Sequence, residues 1–426
     1  MVVELDTTLA ELYAEHDMPW PLVVDLYRTY THIDLHDNFQ RERVFAEDED
    51  SSIYYSEQNN IHRFKKWALN SRTIRHLPMV GPADVLLYRP HNSRDNIQRA
   101  LNQFPKHQHP NAQYVDLDSP EMATDRRRVI KNKRLIYWRP KSWMVGEDYL
   151  VAPELSYTLN DKRFLNLPEI PTPALKMISL VHEDQRHVVV CHRLPFVVKF
   201  CRCSSGQGTY IVTNEEERLQ MLDAVRRYRE REGMEVQISE FIHSNRPHYG
   251  VNFFIGRSDS PRFLGATEQI VTKNGVRVGG IIDYQMQEEL ERRLRDTIAA
   301  VARKLQQSSY MGWVGIDVIF DVNDRPLVVD LNARIAAGIG VVLFSKHFLS
   351  IGLPFAQMET VSFDGPASLT YDAISAKIES GRVIITLSAE VTETEFVASV
   401  VFGGRTRDEL IAVGDWIRET LLTYHI

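Results

Sequence analysis

The chain has little cysteine, no long basic run and no long apolar run, and each shortage excludes a class of protein. Three cysteines in 426 residues, Cys191, Cys201 and Cys203, cannot build a disulfide framework, which points to a reducing compartment. Cys201 and Cys203 have a chelating spacing. No second Cys or His pair lies at the separation a zinc finger needs, however, so they read as half-buried strand thiols. Lys and Arg number 50 against 57 Asp and Glu, a net charge of −7, and no basic block offers a footprint for a phosphate backbone. Nucleic acid is therefore not an expected partner. The N-terminal MVVELDTTLAEL carries acidic residues where a signal peptide needs a basic and then an apolar region. The longest apolar stretch, near Ile335 to Phe344, is too short to span a bilayer. The expectation is a cytoplasmic protein with no membrane partner. Two nucleotide-binding strings are also missing, the GxxxxGK(S/T) of a P-loop and the GxGxxG of a Rossmann unit.

What is present suggests two or three domains, since 426 residues exceed one compact core. Up to about residue 150, apolar runs such as ADVLLY (Ala83 to Tyr88) alternate with helix patterns such as SRDNIQRALNQF, as in an α/β unit. A helix-like LSYTLNDKRFLNL follows, stopped by a proline cluster from Pro168, and the boundary is placed before it. Next come strands HVVVCHRL and PFVVKFCRC, a Gly-Ser loop and a charged helix from about Asn214 to Glu232. Strands VQISEFI and GVNFFIGR and an amphipathic helix near Gln285 to Gln307 complete this run. Beyond residue 345, RVIITLSAEVTETEFVASVVFGG reads as a β-hairpin. TRDELIAVGDWIRETLL reads as a final helix, with Thr406 and Glu409 at capping-box spacing. The expected organisation is an α/β domain over 1–150, an α+β unit over 151–345 and a hairpin-plus-helix segment over 346–426. The hairpin near Val383 to Phe402 could pack on its own domain or pair with a second subunit at a sheet edge.

The chemistry concentrates in GWVGIDVIFDVNDRPLVVDLNARI, Gly312 to Ile335, where two apolar strands flank an Asn323-Asp324 turn. A ladder centred on that turn sets Asp317 opposite Asp330, with Asn332 on the same face. Facing carboxylates repel unless a cation lies between them. Two carboxylates and an amide favour magnesium or manganese over zinc or copper, and leave positions for phosphate oxygens. Arg334 follows, placed to meet an anion. The alternative is an exposed acidic face on an edge hairpin. A second constellation lies in PFVVKFCRCSSGQGTYIV. Lys199 ends an apolar strand, and the loop from Ser204 and Ser205 through Gly206 and Gly208 to Thr209 lets backbone N–H groups converge on an anion. Alone, such a cluster is more often an ordinary turn.

Taken in order, Lys162, Lys199 before the Gly-Ser loop, Glu240 in QISEFI, and Asp317, Asp330, Asn332 and Arg334 resemble the ATP-grasp superfamily over about residues 155 to 345. The resemblance implies ATP clasped between two α+β subdomains, with the preceding α/β domain on the acceptor-substrate side. It implies that Lys162 and Lys199 touch the phosphates, and that the loop from Ser204 to Thr209 closes over them. Glu240, Phe241 and Ile242 would meet the adenine edge. Asp317, Asp330 and Asn332 would hold Mg2+ or Mn2+, with Arg334 the phosphate-facing, candidate catalytic group. Departures accompany the matches: Asp330 stands where family members commonly have Glu, and DLNARI replaces an ENPR-like string. Only His248 or Asn252 lies near the usual ribose-binding acid. The implied activity is a carboxylate-amine ligase that forms an acylphosphate, joins a small carboxylic acid to an amino acid or peptide, and releases ADP and phosphate. A carboxylate-thiol ligase, a small-molecule kinase and a non-catalytic ATP-binding regulator are the alternatives.

Overall fold

The computed structural model of the protein describes residues 2–16, 21–25, 74–89, 94–116, 119–138, 149–201, 208–230, 235–257, 260–271, 277–336, 338–364, 374–390 and 395–423. Its strands form three sheets. The first comprises β1 (Leu22–Asp25), β2 (Asp84–Arg89), β3 (Asn111–Asp116) and β4 (Arg134–Tyr137), all parallel, in the order β3-β2-β1-β4. Val23 and Val24 on β1 and Val85, Leu86 and Leu87 on β2 are all buried, the continuous apolar run expected of strands covered on both faces.

The second sheet is antiparallel: β5 (Leu175–Ser179), β6 (Phe196–Phe200), β7 (Thr209–Val212) and β8 (Glu235–Glu240), in the order β5-β8-β6-β7. The helices Glu183–Cys191 and Glu215–Glu230 cover it through a core that includes Ile178, Val189, Val198, Met221 and Ile238. Here the sequence expectation fails, because HVVVCHRL is not a strand. Its valines lie in the helix Glu183–Cys191, with only Val189 fully inside and Val190 exposed. Packing of one helical face outweighs the β-preference of the run. Cys191 is accordingly an exposed helix thiol rather than a strand thiol, whereas Cys201 is buried.

The third sheet has eight strands: β9 (Tyr249–Ile255), β10 (Arg262–Val271), β11 (Arg277–Asp283), β12 (Gly312–Phe320), β13 (Pro326–Asn332), β14 (Phe355–Asp364), β15 (Val383–Glu390) and β16 (Glu395–Gly404). They run in the order β13-β12-β9-β10-β11-β14-β16-β15. The segment after residue 345 thus extends the sheet that holds the Asp317–Asp330 hairpin, through the strand β14 that hydropathy did not reveal. The helix Gln287–Gln307 packs on one face through Leu290, Leu294, Ile298, Val301 and Leu305, a 3.6-residue apolar stripe. The other face shares a core with the N-terminal region, joining Leu9, Tyr13, Ile74, Val85 and Trp138 to Phe254, Trp313, Ile335 and Val401. At the far edge, the Gln103 amide donates to the Ile385 carbonyl (2.7 Å) and accepts from its N–H (3.1 Å), covering β15 there as a strand would. Among the described residues no helix is long and apolar enough to cross a membrane.

Candidate active site

Side-chain alternation on β12 sends Val314, Ile316, Val318 and Phe320 into the core beneath the helix Gln287–Gln307. Gly315 and Asp317 therefore face the other way. On β13, Val328 and Leu331 both enter that same core, three residues apart, which plain alternation forbids. A β-bulge resolves the conflict: Val318 pairs with Val328 but Asp317 pairs with Asp330, leaving Val329 as the extra residue. Asp330 and Asn332 consequently share the face of Asp317. Gly315 lies opposite Asn332, and a Cβ there would sit 2.5 Å from the Ala336 Cβ, so glycine lets the chain beyond Arg334 cross the ladder closely.

Two lysines reach this face. The Asp161 carboxylate accepts the Arg163 N–H at 2.9 Å and starts the short 3-10 turn Lys162–Leu165, which turns Lys162 inward to 5% exposure. Its ammonium donates to the Asp330 carboxylate. From the four-stranded sheet, Lys199 on β6 donates to the carbonyl of the bulged Val329 at 2.5 Å. Burial pushes the Lys199 ammonium down to about 8; Asp330 opposes that shift, Lys162 adds to it, and Asp317 again opposes it. Gln269 on β10 donates to Asp317 at 2.6 Å. Arg334 donates to the Asn332 side-chain oxygen at 2.6 Å, and its guanidinium lies over the Trp138 ring at 5.2 Å.

The remaining expected residues stand apart from this cluster. Glu240 is exposed at the end of β8, and Phe241 and Ile242 are half-buried in the segment linking β8 to β9. Gly208 adopts a left-handed φ of 63°, and its carbonyl accepts the Phe200 N–H at 2.9 Å, closing the base of the loop. Ser204, Ser205 and Gly206 lie outside the described residues. Asn252 is buried beneath Gly338 and accepts from the Trp313 indole at 3.2 Å. Two members of the site had no signal in the sequence. Gln269 sits in an ordinary strand pattern, and Trp138 follows β4 far from any motif.

Among the described residues, no group of three His, Cys, Asp or Glu converges on one point. Asp317, Asp330 and Asn332 share one face of the hairpin and offer oxygens, a set suited to a hard, octahedral cation. Lys162 already places positive charge against Asp330.

A family model described as L-aspartate--L-methionine ligase, ATP grasp, matches residues 173–332, the stretch carrying Lys199, Glu240, Asp317, Asp330 and Asn332. Residues 173–332 of the chain therefore carry an ATP-grasp match. No curated protein sequence matches this chain. Solved structures share its fold. An ADP complex of N5-carboxyaminoimidazole ribonucleotide synthetase superposes with a TM-score of 0.53 at 12% identity, over 81% of this chain and 93% of the other. The L-amino acid ligase from Bacillus licheniformis gives 0.53 at 10% identity, over 95% and 98%. Biotin carboxylase from Campylobacter jejuni gives 0.52 at 10% identity, over 95% and 92%.

Proposed function

We propose that this ATP-grasp protein joins a carboxylic acid to an amine, at least one of them an amino acid, by way of an acylphosphate. The observation that carries the proposal is the meeting of Lys162 and Lys199 with the Asp317–Asp330 hairpin, across two sheets, within the region matched to an amino-acid ligase family. Asp317, Asp330 and Asn332 would hold magnesium, which supplies charge neutralisation on the phosphate oxygens. Lys162 and Lys199 would bind the β- and γ-phosphates, and Arg334 the charge that develops on the transferred group. Glu240 is three residues along β8 from Gln237, the ladder partner of Lys199, so Glu240 lies about 10 Å further along the strand, with Phe241 and Ile242 just past its end. That spacing leaves room for ribose between the phosphates and an adenine at the strand end.

In the first step a carboxylate oxygen attacks the γ-phosphorus, the bond to the β–γ bridging oxygen breaks, and ADP leaves. In the second, the amine nitrogen attacks the acyl carbon, phosphate departs, and the nitrogen loses a proton. The N-terminal sheet and the strands after residue 345 would wall the acceptor side.

The test is magnesium-dependent release of ADP and phosphate from ATP. L-aspartate and L-methionine are tried first, then pooled carboxylic acids and pooled amino acids, separately and together. Release that needs both reactants supports the ligase. ADP without phosphate indicates a kinase, AMP contradicts the acylphosphate route, and release supported by thiols but not amines indicates a thiol ligase.

A further inference from the structure

Trp138 lies immediately beyond β4, and its N–H donates to the Asp25 carbonyl at the end of β1, 3.1 Å away. In the order β3-β2-β1-β4 the chain runs from β1 to one side for β2 and β3, then returns to the other for β4. The carboxyl ends of β1 and β4 therefore flank a topological switch point, where open parallel sheets form a ligand crevice. Three elements converge beside it. Arg334 arrives from the hairpin with its guanidinium 5.2 Å from the centre of the Trp138 ring. The buried His76 ring lies nearly parallel to the indole, 5.8 Å away and 9° inclined. Arg75 donates to the Thr360 hydroxyl on β14 at 3.2 Å, joining the C-terminal strands to the same wall.

Trp138 is only 6% exposed, yet its indole N–H has no hydrogen-bond partner among the described residues. A buried donor left unmatched is costly, and native exceptions are concentrated where a ligand or water completes the bond. A carboxylate beside Arg334 would supply that acceptor. The same position is next to Asn332 and the phosphate-binding face, where an acid must lie to attack the γ-phosphorus.

We propose that Trp138 is a positioning residue for Arg334, and that its indole N–H, together with Arg334, binds the carboxylate of an L-amino acid in the crevice between β1 and β4. The inference deepens the ligase reading and rests on it for the identity of the reaction, but the binding itself is measured separately. A planar guanidinium held on an indole face keeps its donors aimed while losing little freedom on binding.

The experiment follows the six indole N–H resonances of the intact protein, labelled at the indole nitrogen, on adding magnesium and a non-hydrolysable ATP analogue. The twenty common L-amino acids are then added as a pool. The Trp138 resonance, assigned by its loss in Trp138→Phe, should move downfield with the pool; an unmoved resonance overturns the inference. ADP release by the wild type with that pool is measured in parallel. Release with an unmoved indole sinks the crevice but leaves the ligase standing. A moved indole without release, when the pooled carboxylic acids and amines are added as well, removes the ligase reading and leaves the carboxylate site. Trp138→Phe keeps the ring face and loses the donor, so the amino-acid KM should rise about tenfold with ATP affinity and kcat unchanged. Trp138→Leu, which also frees Arg334, should lower kcat as well. Equal losses in ATP and amino-acid affinity in Trp138→Phe would mark a merely structural tryptophan.

Discussion

Lys162→Met tests whether the hairpin carboxylates depend on a cation to coexist. The Lys162 and Asp330 side chains are 6% and 18% exposed, so their ion pair is buried and weakly screened. Methionine keeps much of the unbranched stem, and packing changes little. The charge at Asp330 would then face Asp317 at paired positions of an antiparallel ladder. Removing one partner of a buried pair costs about 3–5 kcal/mol, because the other charge stays buried and uncompensated. The Leu331 N–H still donates to Asp330 at 2.8 Å and the Lys199 ammonium still attracts it, which places the loss near the lower end, about 3 kcal/mol. Magnesium at a hundredfold its dissociation constant would return about 2.7 kcal/mol. Equilibrium urea unfolding with and without magnesium chloride reads both quantities, and Lys162→Met/Asp330→Asn should recover most of the loss without metal. A single variant within about 0.5 kcal/mol of the wild type would refute the reasoning. So would magnesium that stabilises wild type and variant equally.

Asp330→Asn should abolish ADP formation while circular dichroism stays native, and retained turnover would remove Asp330 from the metal site. Lys199 loses its proton near pH 8, so ATP affinity should fall as pH rises through that value, and binding there should take up protons, seen by calorimetry in buffers of different ionisation heat. Affinity that stays flat between about pH 7 and 9 would contradict the assignment. Stability of the free protein moves the other way. The unfolded chain, its lysine at the ordinary 10.5, binds more protons than the folded chain between 8 and 10.5, so the Lys199 contribution rises with pH across that window. Gly315→Val would drive side-chain carbon into Ala336 and should cost about 1–3 kcal/mol in thermal or urea unfolding, with the Arg334 segment displaced.

The parts legible in the sequence are those whose chemistry is local. Asp317 and Asp330 stand out because carboxylates interrupt apolar strands, and Lys199 because it precedes a glycine-rich loop. Lys162 falls in the helix-like run LSYTLNDKRFLNL, and its burial follows from the Asp161 cap, which replaces a continuous helix with a tight turn. The turn itself is longer than a centre at Asn323-Asp324 requires: Asp321 and Arg325 close it, with the Asp321 N–H donating to the Arg325 carbonyl at 3.0 Å. Asp317 nevertheless meets Asp330, because the bulge at Val329 compensates for the longer loop. Residues of the site that come from distant strands, Gln269 and Trp138, carry no local signature; tertiary packing alone brings them in. The run HVVVCHRL misled for the related reason that β-branched residues serve a helix when one face is well packed.

The bulge also governs how length variation in this hairpin is to be compared between chains. A relative with a regular ladder would be one residue shorter at position 329, yet would keep both aspartates and the asparagine on the same face. The alignment gap then belongs inside β13, not in the turn where gaps are ordinarily placed. Such a relative would lack the extra backbone carbonyl that Lys199 engages, so the length of one strand records whether the two sheets are tied at that point.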